Sequence, residues 1–230
     1  MWSLQGFGDQ IVAGAITTLQ VALTSLVLGI GVGLIGAIAK RSHLAWVRWG
    51  AHTYTTVIRG VPELLLILLL YFGGTVLLTA MFGRYVEVNA FAAGVFALTI
   101  VFGAYATEVF RAAILAVPRG QVEAAQALGL SRRATWRFVI LPQMWRYALP
   151  GIGNLWLTLL KDTALISVVG LEDLMRKSSI AAGSTHDPLT FYAIAASLYL
   201  IFTAVSLASL QLMERQANRG IHVSREGVRL

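Results

Sequence analysis

Apolar residues in this chain come in long runs, and charged residues gather between them. No Asp, Glu, Lys or Arg occurs in Ile11–Ala39, Leu64–Gly83, Val88–Thr107 or Pro188–Met213. A helix crossing the hydrocarbon core of a bilayer needs about 20 residues, and each run reaches that length. The pattern predicts spans at about Ile11–Ala39, Val57–Ala80, Val88–Thr107 and Pro188–Met213. A fifth, Ala148–Leu171, carries Lys161 and Asp162 in its middle, with apolar sequence at Leu155–Leu160 and Thr163–Leu171 on either side. The chain reads as all-α: a polytopic membrane protein with five transmembrane helices in one domain, 1–230.

The charges between the runs give an orientation, because basic residues stay on the cytoplasmic side. Lys40 to Arg59 holds four basic residues and no acid; the next loop has only Arg84 and Glu87. Glu108–Arg146 has six basic residues and two acids, and the following loop sets Arg176 and Lys177 against Glu172, Asp173 and Asp187. The tail from Glu214 has four basic residues and two acids. Five spans with the N-terminus outside and the C-terminus in the cytoplasm fit this alternation; four spans break it. Only 13% of the residues are charged, against about 25% in soluble domains. The net charge of +7 sits in short loops rather than on one basic face, which points to membrane lipid and away from nucleic acid. With no cysteine, disulfides and thiolate metal sites are excluded. Asp9 precedes the first run and no basic residue does, so that run is expected to remain as a span rather than be cleaved as a signal.

The loop at about 118–142 carries the most information. Gln121–Leu128 is rich in helix formers, and Gly129 stands where a glycine ends a helix. Ser131 suits the N-cap of a second short helix, and Pro142 is expected to end it. Two short helices joined by a glycine bend offer either a rigid surface for a soluble partner or an amphipathic connector on the membrane surface. In the first span, Gly29 and Gly33 lie on one face, where two backbones approach closely; the contact is either inside the bundle or between subunits. The histidines His43, His52, His186 and His222 all fall in loops or the tail. There is no G-x-x-x-x-G-K-[ST] phosphate loop and no nucleophile–base cluster, so the chain is read as a non-enzyme.

Glu123-Ala124-Ala125, Gly129 and Ile140-Leu141-Pro142 together resemble the "EAA" loop of bacterial ABC importer permeases. The likeness extends along the chain: Arg59-Gly60-Val61-Pro62, Tyr105-Ala106-Thr107-Glu108-Val109-Phe110-Arg111 and Leu160-Lys161-Asp162-Thr163-Ala164-Leu165 are similar to motifs of polar amino-acid permeases. Tyr147 to Asn154 and Gly170-Leu171-Glu172-Asp173 resemble one branch, the Q-type permeases of histidine/lysine-arginine-ornithine, arginine and opine uptake. The resemblance implies a type I importer (MetI-like) permease fold in the bacterial inner membrane. It implies half of a translocation pathway for basic amino acids or opines, driven by ATP and working by alternating access. Implied partners are a second permease, heterodimer favoured, two ATPase subunits and a periplasmic binding protein. ATP and Mg would reside on the ATPase, with no cofactor in this chain. Glu123, Ala124, Ala125, Gly129, Ile140, Leu141 and Pro142 would couple to the ATPase.

Ionisable groups inside spans are costly and face a cavity or a partner. Glu63, after Pro62, either suits a helix start or faces the permeation path and attracts a cationic substrate; basic amino-acid permeases that the chain resembles carry an acid at the matching place. Asp162 is either half of an internal ion pair, with Lys161 as a structural candidate, or a substrate contact. Glu108 and Arg111, three apart, can pair on one helix face. Tyr71 and Tyr105, with Phe72 and Phe102, either pack or line the path. The competing function is an ion-coupled carrier or channel, in which Glu63, Glu108 and Asp162 would be coupling sites.

Overall fold

The computed structural model describes residues 4–218, and all regular structure among them is helical. The long helices are α1 (Gly8–Ala39), α3 (Glu63–Phe82), α4 (Ala90–Ala116), α7 (Leu141–Asp162) and α9 (Pro188–Ala217). Shorter ones are α2 (Ala45–Gly60), α5 (Arg119–Ala127), α6 (Arg132–Thr135) and α8 (Leu174–Thr185). Five segments are long and apolar enough to cross a bilayer: α1, α3, α4, α9 and the helical stretch Arg132–Val169 that contains α7. The tail from residue 219, with His222, lies outside the described residues.

The centre of the bundle is α4. The most extensive packing in the molecule is α1 along α4, followed by α7 on another side of α4. Gly29, Gly33 and Gly36 share one face of α1, at the i, i+4, i+7 spacing of a helix. A Cβ on Gly29 would lie 2.5 Å from Cδ1 of Phe102, and one on Gly33 2.6 Å from Cβ of Ala106. One on Gly36 would collide with Thr107 Oγ1. The α4 helix returns the fit at Gly103, where a Cβ would sit 2.6 Å from Val32. The glycine face is therefore an intrachain contact, which decides between the two readings of Gly29 and Gly33. Around it Leu98, Phe102, Phe110, Met144 and Ile166 form the main buried cluster. A smaller cluster of Ile11, Leu174 and Phe191 joins α1, α8 and α9. Buried Thr18 accepts from Leu174 N–H at 3.1 Å there.

Helix starts follow local chemistry. Asn89 caps α4 by accepting from Ala92 N–H at 3.0 Å, and Asp173 caps α8 by accepting from Arg176 N–H at 2.9 Å. Burial pushes the Asp173 carboxyl up to about 6, against the backbone bonds that favour its ionised form.

Two boundaries differ from the sequence pattern. The expected second span at Val57–Ala80 is two helices. Val57 to Gly60 close α2, Val61 and Pro62 are extended, and α3 begins at Glu63. Pro62 forces Val61 out of the helical region and then starts the next helix. On α2, Trp46 and Trp49 are exposed, and Tyr54 OH donates to Ile100 O at 2.7 Å. Burial holds the Tyr54 phenol up at about 12, so it remains a neutral donor. His52 lies on this helix rather than in a loop.

The second difference is Pro142, which does not end a helix. The backbone stays helical from Arg132 to Val169, and Pro142 sits in the first turn of α7. The reason is the preceding π-helical stretch Trp136–Ile140, in which Leu141 N–H donates to Trp136 O, five residues back. The wider turn accommodates a proline that can neither donate nor tolerate a close i−4 carbonyl. The expected span Ala148–Leu171 is thus continuous with the second helix of the loop. It ends in a 3₁₀ stretch, Thr163–Val169, closed by Gly170 at φ 91°.

Candidate functional site

Three helices converge on a cavity of about 210 Å³ beside α4. Glu63 enters as the first residue of α3, Asp162 as the last of α7, and Tyr105 from α4, with Phe102 and Thr158 on the walls. Both carboxylates are half-buried, and no basic residue lines the cavity. Asp162 is held where α-helix gives way to 3₁₀ geometry, a change fixed by Thr163 Oγ1 donating to Leu160 O at 2.7 Å. Two carboxylates among apolar walls favour a cation, because a shared low-dielectric environment strengthens attraction to it.

The cavity thus brings together Glu63, Asp162 and Tyr105. It does not include Tyr71, whose OH donates to Glu87 Oε1 at 3.0 Å and whose ring meets Phe72 edge-on at 5.1 Å. Nor does Lys161 form the ion pair expected of it: its side chain is exposed and joins none of the ion pairs among the described residues. Adjacent helical residues point about 100° apart, so Asp162 turns to the cavity while Lys161 turns away. Sequence reasoning missed Arg59 as a neighbour of this site. Its guanidinium lies 5.2 Å from the centre of the Tyr105 ring, a cation–π arrangement joining α2 to α4. Its signal in the sequence was its place in the Arg59-Gly60-Val61-Pro62 motif, which does not say which helix the guanidinium will meet.

The long loop folds as two short helices at a glycine bend. Gly129 has φ 77°, and Leu130 N–H donates to Ala125 O at 3.0 Å across the bend. Ser131 accepts from Ala134 N–H at 3.3 Å as N-cap of α6. Glu123, Ala124 and Gly129 are exposed, as are Leu141 and Pro142 at the start of α7, with exposed Leu128 and Phe138 near them. Ala125 and Ile140 are buried and hold the loop to the bundle rather than forming its outer face. A cleft of about 450 Å³ lies between this loop and the end of α4, with Glu123, Gln126 and Trp136 on its wall.

Between cavity and loop lies a charge cluster. Arg111 Nε donates to Glu108 Oε2 at 2.9 Å, the i,i+3 pair that the spacing allows. Lys40, buried at the end of α1, pairs with the other oxygen, Oε1. Lys40 carries no sequence signal for this role, since it reads as an ordinary charge flanking a span and lies far from Glu108 along the chain.

The family model for binding-protein-dependent transport system inner membrane components matches residues 13–219. The nopaline transport system permease protein of Agrobacterium fabrum is 46% identical, with 96% of each chain covered. The histidine/lysine/arginine/ornithine transport system permease protein of Salmonella typhimurium is 43% identical, covering 95% of this chain and 97% of that one. Among solved structures, an amino acid ABC transporter with histidines superposes with a TM-score of 0.82 at 36% identity, covering 93% of this chain and 97% of that one. A methionine ABC transporter in an inward-facing form gives 0.74 at 19% identity over 91% and 96%, a likeness of fold alone. On this family match and on relatives alike almost end to end, the chain belongs to the binding-protein-dependent transport system inner membrane component family.

Proposed function

We propose that this chain is the permease subunit of an ATP-driven importer of basic amino acids or opines. The observation that carries the reading is the convergence of Glu63 and Asp162 on one cavity with no basic lining residue. That charge arrangement suits a cationic side chain, and the relatives named above transport nopaline or histidine, lysine, arginine and ornithine.

In this reading a periplasmic binding protein delivers substrate at the face near α8, and the N-terminus is outside with the C-terminus in the cytoplasm. A second, homologous permease completes the pathway, and a heterodimer is the favoured pairing. The outer faces of α3 and α9 stay almost wholly uncovered in the single chain, which leaves surface for that subunit and for lipid. Two ATPase subunits, holding ATP and Mg, grip the exposed Glu123, Ala124 and Gly129. Ala125, Ile140, Leu141 and Pro142 pass the motion to α7. Hydrolysis belongs to the ATPase; this chain binds and gates.

The test is uptake of labelled arginine into vesicles carrying this chain with its partners, binding protein outside, with and without internal ATP. Uptake that needs ATP and every partner is expected. Uptake by this chain alone under an ion gradient would replace the reading with an ion-coupled carrier. Glu63→Gln is expected to cost arginine uptake about tenfold, a loss of roughly 1.4 kcal/mol, while neutral histidine is affected less. Equal loss for both would reduce Glu63 to helix-start chemistry.

A further inference from the structure

A second cleft, of about 830 Å³, opens sideways rather than into the bundle. It lies between the end of α1, the turn into α2, and α6 of the long loop. Its floor is apolar. Ile35 and Ile38, on the last turns of α1, are 70% and 61% exposed, and Trp136 closes the far side. The helix that carries these isoleucines is one of the five apolar enough to cross a bilayer. Its rim is basic. Arg41, His43 and Arg132 stand on it, no acid lines it, and none of the three joins an ion pair among the described residues. The basic rim continues through Arg133 and Arg137, which with Arg132, Trp136 and Leu141 line an adjoining hollow.

The two halves of this cleft ask for different chemistry. A soluble anion satisfies the rim and leaves the isoleucine floor bare. A hydrocarbon chain covers the floor and leaves Arg41 and Arg132 with only Glu123 nearby, an acid on the neighbouring cleft that both also line together with Arg119. A phospholipid of net negative charge satisfies both at once, and basic hollows between membrane helices are where such headgroups collect. Depth agrees, since exposed Trp46 and Trp49 on the adjacent α2 are the aromatic type that settles at the headgroup level.

We propose that this cleft is a binding site for an anionic phospholipid. The headgroup phosphate sits between Arg41 and Arg132, and an acyl chain lies along Ile35 and Ile38. The lipid then bridges the α1–α2 turn and the second helix of the long loop, both of which line the cleft. The site depends on membrane insertion of α1 and not on the transported substrate; it shares the long loop with the proposed ATPase contact, so the test uses the chain without the ATPase.

The full-length chain in phosphatidylcholine nanodiscs, doped with spin-labelled phosphatidylglycerol or spin-labelled phosphatidylcholine, tests this directly. The fraction of motionally restricted label gives the relative association of the two lipids. A preference of about fivefold per arginine is expected for phosphatidylglycerol, on the order of 25-fold for the pair. Arg41→Gln and Arg132→Gln should each lose about fivefold of that preference. The Arg41→Lys/Arg132→Lys pair, which keeps charge and fold, should retain most of it. Arg84→Gln, in the loop between α3 and α4, should change nothing. Excess inorganic phosphate should leave the lipid in place. Equal restriction of the two lipids would overturn the proposal. So would glutamine variants indistinguishable from the parent, or a lysine pair that loses the preference. Displacement by inorganic phosphate would also overturn it, by showing an anion site without a lipid.

Discussion

The α1–α4 pair and the α3 and α9 helices are made of similar apolar sequence and have opposite fates. Two-thirds of the apolar stretch of α4, 67%, is buried within the chain, against 6% of the corresponding stretches in both α3 and α9. In lipid, apolarity does not draw helices together, because the tails are as apolar as leucine; close fit does. The fit is built at Gly29, Gly33 and Gly36, where Phe102, Ala106 and Thr107 come into contact with the backbone of α1. On α3 the glycine Gly73 has nothing within 4 Å of a Cβ position. The lesson is that hydropathy finds membrane helices, while the placement of small residues sorts scaffold from surface left for lipid or another subunit.

Substitutions can break that contrast, and the largest effect is expected inside the pair. Gly33→Val would drive a branched side chain into Ala106, including its backbone carbon at 3.2 Å. Overpacking of this kind costs about 1–3 kcal/mol, and rigid backbone places it at the upper end. A fall in both yield and thermal midpoint of the purified chain should show it; an unchanged midpoint would mean the helices are free to part. Lys40→Met comes next. It removes one cation from a carboxylate whose side chain is only 22% exposed and leaves Arg111 as its partner. A cost of about 1–3 kcal/mol is expected, below that for a fully stranded buried charge. Adding Glu108→Gln should recover part of the loss in a double-mutant cycle.

Gly73→Ala sharpens the comparison by reversing the sign. With open space around it, alanine should stabilise α3 by about 0.5–1 kcal/mol through helix propensity. A loss of stability there would reveal a packed neighbour. Smallest on the stability scale is Glu123→Lys, on the exposed face of α5, where surface changes stay within about 0.5 kcal/mol. Its effect should appear in ATPase co-purification and uptake. Normal assembly and transport would remove the coupling role from this loop.

The spans were legible because long uncharged runs have one physical meaning at this length. The loop was legible because Gly129 and Ser131 each solve a local backbone problem that their side chains announce. The division of α2 from α3 was hidden, since Val57 and Val61 continue the apolar run and only Pro62 marks the break. The passage of helix through Pro142 was hidden for another reason: a π turn is invisible in a periodicity of 3.6. Convergence of Glu63 with Asp162, and of Lys40 with Glu108, was beyond sequence reading because nothing local records which distant helices will be neighbours. Lys161 was legible in one respect: as the helical neighbour of Asp162 it must point about 100° away, and it is exposed while Asp162 lines the cavity.

The continuous helical backbone from α6 to the end of α7, with Pro150 inside it, has a mechanical consequence. At 1.5 Å per residue, Arg132 to Asp162 measures at most about 45 Å. One end lies on the exposed loop and the other on the two-carboxylate cavity. A tilt of about 5° pivoting at the loop end would sweep the Asp162 end through about 4 Å, more than the width of a water molecule. The stiffness of this rod, softened at its widened turn and again at Pro150 inside α7, sets how much of any tilt at Arg132 arrives beside Glu63.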